Sequence, residues 1–352
     1  MKFDFVIGNP PYQEETAQKD TANGQKTQKN IFHYFQMQAD QIATKGSVMI
    51  YPAGRWIHQS GKGLRAFGSE QINDRHLKKL VFYKNSNSIF PQAAIADGVS
   101  IVLKNMNKKT AGFDYVYTTG TETVEVHADN PGEDLMPLNP SDHSILKKID
   151  EFVKREHIAY MHDGILPRTF FGIESNFVEE NPDKVRPYET DEDVDFSHEV
   201  KLFTNDKAGK AGRAKWFVAD KSVIPNNSDK IREWQVVVSS ANAGGQKRDN
   251  QLEIMDNHSA FGRARVALKS FDNSREAENF YAYMKTYVIR YAFLMTDEAL
   301  TSLGKRVPDL LDYSDGSNGF DFEDDLDGQL FEKIGLKADE IMYIKGIVDN
   351  LR

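Results

Sequence analysis

Over the first 118 positions, short apolar runs alternate with stretches of helical period. FDFVIG (3–8), SVMIYP (47–52), LKKLVFY (77–83) and GVSIVLK (98–104) have the length and the β-branched or aromatic content of strands. Ile31, Phe32, Phe35, Ala39 and Ile42 fall on one helical face, and Leu64 to Ile72 reads as a second helix. Strand, helix, strand, helix, strand predicts an α/β fold with a parallel sheet.

From Thr118 to Asp142 the chain turns to Thr, Glu, Asn, Gly and Pro, an irregular crossing with room for one hairpin. Ser141 is placed to cap a helix carrying Ile145, Leu146, Ile149, Phe152 and Val153 as an apolar stripe. KLFTN (201–205), KWFVA (215–219) and WQVVVSS (234–240) read as strands. Phe280, Tyr281, Met284, Val288 and Tyr291 mark a helix over about 275–295, and Ile341, Ile344, Ile347 and Leu351 a last one. The predicted organisation is a first domain over 1–118, a linker over 119–142, and an α+β domain with C-terminal helices over 143–352.

Composition narrows the class. With 352 residues, 39% hydrophobic and 22 Phe, the chain has room for two folded domains and is unlike a disordered sequence. The absence of cysteine excludes disulfides and thiolate-held zinc and fits a reducing cytoplasm. No apolar run reaches the roughly 18 residues of a membrane span. The net charge of −9 argues against a polyanionic partner only at first sight. Nine acids and no Lys or Arg lie between Asp309 and Glu332, so the rest of the chain balances at 44 acidic and 44 basic residues.

The sharpest motif is Asn9-Pro10-Pro11-Tyr12, directly after the first strand. Ligands of α/β sheets sit at the carboxyl ends of strands. Two prolines there stiffen the loop and, having no N–H, leave their carbonyls free to accept. The Asn9 side-chain oxygen and the Pro10 carbonyl are suited to hold the two hydrogens of an exocyclic amino group, and Tyr12 offers a flat face for a base. An adenine amine is a poor nucleophile because its lone pair is delocalised. Two acceptors on its hydrogens favour the pyramidal geometry of attack on an electrophilic methyl, by positioning and electrostatics. The plain alternative is a Pro-Pro turn that merely ends a strand.

Here the sequence resembles the amino-methylating DNA methyltransferases, and within them the adenine-specific enzymes of restriction-modification systems, including type IIG-like fusions. DFVIGNPPYQ is similar to their catalytic strand and loop, KGSVMIYPAGRW (45–56) to the following strand, and IFPQAAIADGVSIVLK (89–104) to the strand pair beside the target-base pocket. FFGIESNF (170–177), VKLFTNDKAG (200–209), IREWQVVVSSANAGG (231–245) and LDGQLFEKIGLKADEIMYIKGIV (326–348) resemble the target recognition domain. The resemblance implies a partial class I methyltransferase sheet followed by that domain. It implies Asn9, Pro10, Pro11 and Tyr12 as catalytic residues, Phe90 as a base-packing residue, and double-stranded DNA as substrate.

The resemblance also implies S-adenosylmethionine, which the family binds with an aromatic-x-Gly-x-Gly loop and an acidic residue, both ahead of the catalytic loop. This sequence begins eight residues before that loop. Downstream, Gly61-Lys62-Gly63 lacks a preceding strand and Phe171-Gly172 lacks a second glycine at the right spacing. The expectation is therefore the catalytic and recognition half of a larger or two-chain enzyme. Another polypeptide or domain would carry the cofactor-binding half, and this half alone would be inactive.

Two basic groups mark a DNA footprint: Lys201, Lys207, Lys210, Arg213, Lys215 and Lys221, then Lys247, Arg248, Arg263, Arg265 and Lys269. Asn242, Gln246, Asn250 and Arg263 have groups able to read base edges. The candidate contacts are Lys207, Lys210, Arg213, Lys215, Gln246, Lys247, Arg248, Arg263 and Arg265. A rival reading is a DNA-binding specificity module without catalysis. A third is a magnesium-dependent nuclease using Pro182-Asp183 and Glu199-Val200-Lys201. No His-Glu-x-x-His occurs, and Asp312 to Asp325 misses EF-hand spacing, so no metal site is expected.

Overall fold

The computed structural model describes residues 1–19, 26–58, 63–93, 95–132, 136–190, 193–209, 212–245, 249–295 and 303–350, with the backbone alone for 16–19 and 26–28. The chain forms two compact units, Met1–Ser144 and Ile145–Arg352.

In the first unit the strands are β1 (Phe3–Gly8), β2 (Gln13–Lys19), β3 (Lys26–Asn30), β4 (Ala43–Pro52), β5 (Leu77–Tyr83), β6 (Val99–Asn105), β7 (Phe113–Thr118) and β8 (Thr123–Ala128). The helices are α1 (Phe32–Ile42), α2 (Gly54–Ile57) and α3 (Arg65–Asn73). Six strands make one sheet in the order β1-β4-β6-β5-β7-β8, and β2 and β3 form a separate hairpin.

The sheet is mixed, which corrects the expected parallel one. β1 and β4 are parallel, as are β5 and β7, but β6 runs antiparallel between β4 and β5, and β8 antiparallel to β7. Parallel neighbours need a crossover, usually a helix. The helix α1 supplies it between β1 and β4. The segment between β5 and β6 holds only a short turn at Ser86–Ser88, and the chain reverses. The stretch expected as a linker contributes the β7–β8 hairpin's second strand and so belongs to the sheet.

All three helices pack on one face. Phe32 and Ala39 of α1, Trp56 and Ile57 of α2, and Phe67 and Ile72 of α3 share a core with Met49, Tyr51, Leu80, Phe82, Val102 and Tyr115. Phe35, expected on the buried side of α1, is 43% exposed, and Gln36 takes its place, accepting from the Tyr51 hydroxyl at 3.1 Å. Because strand side chains alternate, the opposite face carries Phe5, Ile7, Val48, Ile50, Ile101 and Leu103. None of these six is buried, and Phe5 and Ile7 are 64% and 79% exposed.

One ion triad is buried in this unit. The Lys104 side chain is fully enclosed, with its Nζ 2.8 Å from Asp40 and 2.7 Å from Asp74, joining β6 to α1 and to the turn before β5.

In the second unit α4 (Asp142–Arg155) starts the helical layer completed by α6 (Ser274–Met284), α7 (Tyr287–Leu294), α8 (Leu326–Ile334) and α9 (Ala338–Asp349). A short α5 (Phe177–Glu180) lies between. The strands are β9 (Ala159–Tyr160), β10 (Val185–Pro187), β11 (Glu199–Asn205), β12 (Ala214–Asp220), β13 (Trp234–Ser239), β14 (Glu253–Met255), β15 (Ser259–Phe261), β16 (Arg265–Phe271) and β17 (Pro308–Asp309). They pair as β10-β12-β11-β15, β14-β13-β16 and β17-β9. The predicted helix over 275–295 is two helices, broken at Lys285 and Thr286.

Alternation along β13 and β16 organises this unit. Val236, Val238, Val266 and Leu268 face the helical core, whereas Val237 and Ala267 face a second core with Leu202, Phe217 and Phe261. The three-stranded sheet is thus covered on both sides. No helix among the described residues is long and apolar enough to cross a membrane.

Burial acts to raise the Asp74 pKa, but the Lys104 ammonium together with the hydrogen bonds from His76 outweighs it and holds the group below the usual carboxylate range. Its pairing therefore stabilises the fold above about pH 4 and is lost as pH falls through the folded-state value. Lys104→Met, which leaves two carboxylates without their cation, should cost about 3 kcal/mol at pH 7. It should also flatten the fall in stability below pH 4, as read from urea melts across pH.

Candidate active site

The strand β1 lies at the sheet edge and delivers Asn9 to Tyr12 at its carboxyl end. Pro10 is buried, Asn9 and Pro11 are exposed, and Tyr12 is half-buried against the first unit's core. The corner is held from its far side. The Ile31 N–H donates to the Tyr12 carbonyl at 3.0 Å, and Gln13 Nε2 donates to Asn30 Oδ1 at 3.1 Å. The β2–β3 hairpin therefore closes at Tyr12 and passes directly into α1. Burial pushes the Tyr12 phenol up from its ordinary value, so the ring is neutral at physiological pH.

A cavity of about 320 Å³ opens beside Tyr12, with Phe32, Trp56, Arg55, Ile95 and Asp97 among its lining. Two distant segments build this wall. Gly54 N donates to the Asp97 carbonyl at 2.7 Å and Ala53 N to the Gly98 carbonyl at 3.2 Å. Arg55 Nε donates to Asp97 Oδ2 at 3.0 Å. The polar end of Trp56 is engaged, Nε1 donating to Ser100 Oγ at 3.3 Å, which leaves its ring as apolar wall. The volume and the aromatic lining suit a planar heterocycle.

Asn9 and Pro10 are not among the residues lining this cavity, and neither is Phe90. Phe90 is half-buried where the chain turns after β5, its N–H donating to the Ser86 carbonyl at 2.8 Å. Ile95, Ala96 and Asp97 of the same connection line the cavity instead. Arg55, Trp56 and Asp97 were missed by sequence reasoning. Their only signal was membership of the segments 45–56 and 89–104, since the pairing that joins them is non-local.

The expected DNA contacts divide. Lys210, Gln246, Lys247 and Arg248 lie outside the described residues. Lys207 is exposed on the β11–β12 loop. Lys215 is tied to Asp206 at 2.8 Å, and that contact pulls the Asp206 carboxyl down to about 2. Arg213 and Arg263 line a cleft of about 650 Å³ together with Arg168 and Arg265. Arg263 Nη1 also donates to both carboxylate oxygens of Glu174, at 2.7 and 2.9 Å. Of the other basic candidates, Lys201 pairs with Asp256 and Lys269 with Asp309 at 2.8 Å. Asn242 is buried, and Asn250 Nδ2 donates to the Ala243 carbonyl at 3.2 Å.

Two residues of the nuclease pattern, Glu199 and Lys201, are engaged in ion pairs. Glu199 accepts from Arg186 at 2.7 and 3.1 Å, which holds its carboxyl below the ordinary range. Lys201 is held by Asp256 among the rings of Tyr188, Phe196 and Trp216. No group of three or more acidic, histidine or cysteine side chains among the described residues is placed to hold a metal ion.

Comparison with known proteins agrees with the motif. Residues 1–90 match the family of Eco57I restriction-modification methylases. An "uncharacterized adenine-specific methylase" of Mycoplasma pneumoniae is 25% identical over 150 residues, 42% of this chain, and the match spans only 34% of that relative's length. Among solved structures, the Type IIL restriction-modification enzyme MmeI in complex with DNA is similar over 99% of this chain and 57% of its own, at 10% identity and a TM-score of 0.41. The type IIG restriction endonuclease BpuSI is similar over 99% and 53%, at 10% identity and a TM-score of 0.36.

The cavity wall depends on Gly98, whose φ of +68° no β-carbon tolerates well. An added Cβ would lie 2.5 Å from the Tyr83 carbonyl oxygen and 2.6 Å from the Phe82 ring. Gly63 has a similar φ of +76° with nothing within 4 Å. Gly63→Ala should cost about 1 kcal/mol from backbone strain alone, and Gly98→Ala about 3 kcal/mol from strain plus collision. Thermal melts of the two variants give the comparison.

Proposed function

We propose that this chain carries the base-handling and DNA-recognition portion of an adenine-specific DNA methyltransferase of a restriction-modification system. The observation that carries the reading is the cavity beside Tyr12 at the carboxyl end of β1, next to the Asn-Pro-Pro-Tyr corner. An adenine turned out of the duplex would enter it, stack on Tyr12 and meet the Trp56 side of the wall. Asn9 Oδ1 and the Pro10 carbonyl, on the corner outside the cavity lining, would accept from its amino group where that projects from the cavity and hold it for attack. Tyr12, kept neutral by burial, contributes its face and takes no part in proton transfer. No strong base is required of these residues, because positioning and electrostatics lower the barrier.

The residues present do not fit S-adenosylmethionine as a resident group. No glycine lines the cavity, and its carboxylate, Asp97, is engaged by Arg55. The methyl donor is therefore assigned to a polypeptide segment carrying the glycine-rich loop. The first unit's sheet supports this reading. Its β1 edge pairs with no strand beyond β4 among the described residues, and on the face opposite the helices the apolar side chains of Phe5 and Ile7 are exposed, with Val48, Ile50, Ile101 and Leu103 half-buried. An apolar sheet edge left open invites pairing with another chain.

The test is reconstitution. The full chain, mixed with a polypeptide carrying an aromatic-x-Gly-x-Gly segment and with methyl-labelled cofactor, should label adenine in duplex DNA. Asn9→Ala and Tyr12→Ala should each lower that rate by at least about 100-fold, the order expected when preorganised acceptors or positioning are lost, with duplex affinity unchanged. Duplex binding without methyl transfer by the reconstituted wild type would leave the specificity module as the better reading.

A further inference from the structure

Arg265 is the buried Lys or Arg side chain of the second unit among the described residues, and it lacks the carboxylate partner that buried Lys104 of the first unit and half-buried Lys201 and Lys269 have. Lys104 sits between two aspartates, Lys201 is paired with Asp256 and Lys269 with Asp309. Arg265, at the start of β16, is 2% exposed and has no carboxylate within ion-pair distance among the described residues. Its Nη2 donates to Gln251 Oε1 at 2.6 Å, and its guanidinium lies 4.8 Å from the centre of the Phe203 ring. Its Nε and Nη1 are enclosed and have no hydrogen-bond partner among the described residues. Desolvation draws its pKa down to about 10, against the opposing charge of Glu253, so it is still a cation at neutral pH.

An enclosed charge with two unmet donors is costly, and such a group calls for a reason. The reason is found in what lies in front of it. Arg265 belongs to the wall of the 650 Å³ cleft, which Arg168, Arg213 and Arg263 also line. These side chains come from separate places: the turn after the Leu166 bridge to Ala267, the β11–β12 loop, and the link between β15 and β16. Four arginines face one lining carboxylate, Asp249, and Glu174 offsets Arg263. The cleft therefore holds an excess of positive charge, and hydroxyls of Ser239 and Ser240 line it as well.

We propose that this cleft is an anion site where the second unit grips the phosphodiester backbone of duplex DNA. Arg168 and Arg213 make the contacts, and Arg265 supplies a fixed positive charge from behind the surface. This rests on the reading of DNA as substrate. The ligand group is a phosphate because Arg265, enclosed behind the surface, acts on a ligand through its charge alone, which attracts an anion and reads no base edge. A charge in a low-dielectric wall acts through its field, and clefts lined by one sign concentrate it. Arg265 thus destabilises the free protein and acts favourably only when an anion is present.

Two variants of the full chain test this with a 20-base-pair duplex and, separately, inorganic phosphate. Arg265→Met should weaken duplex binding by about tenfold at 0.1 M salt with a Tm no lower than wild type, and should abolish the rise in Tm given by phosphate. Arg168→Ala, an exposed change, should lower the slope of log affinity against log salt by about 1. Unchanged affinity and slope in both variants, with reconstituted methyl transfer intact, would overturn the cleft and leave the enzyme reading standing. A fall in Tm for Arg265→Met with affinity unchanged would mark Arg265 as a packing residue and also overturn it. Failure of the wild type to bind any duplex would sink the DNA reading itself.

Discussion

A β-strand sends successive side chains to opposite faces, and the first unit depends on that constraint. Its central strands carry apolar residues on both sides, while all three helices pack on one. Tyr51, Phe32, Phe67 and Trp56 close that side into a dense aromatic core, with Phe32 stacked on Tyr51 at 5.0 Å and Trp56 edge-on to Phe67 at 5.9 Å. The other side ends at Phe5 and Ile7 in solvent. The same arrangement places β1 at the edge, so the corner after it lies between the packed core, which half-buries Tyr12, and the uncovered face.

The cavity beside Tyr12 gains its shape from rigid backbone. The Ala53 and Gly54 N–H groups reach across to the carbonyls of Gly98 and Asp97, locking the end of β4 to the entry of β6. The positive φ at Gly98 makes this approach sterically allowed. Arg55 and Asp97 then neutralise one another at the rim, so the pocket presents an aromatic wall with its charges already paired. Such a wall favours a flat, uncharged ring over an ion.

The second unit distributes its charges differently. The half-buried Lys201 and Lys269 are matched by Asp256 and Asp309, and these contacts serve packing. In the arginine-lined cleft the match is incomplete, and the imbalance is concentrated on one enclosed residue. Burial without a counter-ion is stable only because the surrounding cores, on both faces of β13 and β16, supply the free energy that tolerates it.

Local periodicity set the elements. The strands at 3–8 and 77–83, the strand read over 201–205, the amphipathic helix carrying Ile145 to Val153, and the diproline corner behind β1 were all legible, because burial of a strand or helix face is written in residues a few positions apart. Strand partners were not. β6 enters between β4 and β5 in reverse because its connection has no crossover helix among the described residues, and pairing between residues as far apart as Gly46 and Asn105 leaves no local pattern. The basic residues make the same point. A run of Lys and Arg is one signal in sequence, yet the fold ties Lys201, Lys215 and Lys269 to aspartates and draws Arg168, Arg213, Arg263 and Arg265 around one cleft. Charge is a property of the residue, but whether it is spent on a neighbour or offered to a ligand depends on which carboxylates tertiary contact brings within reach.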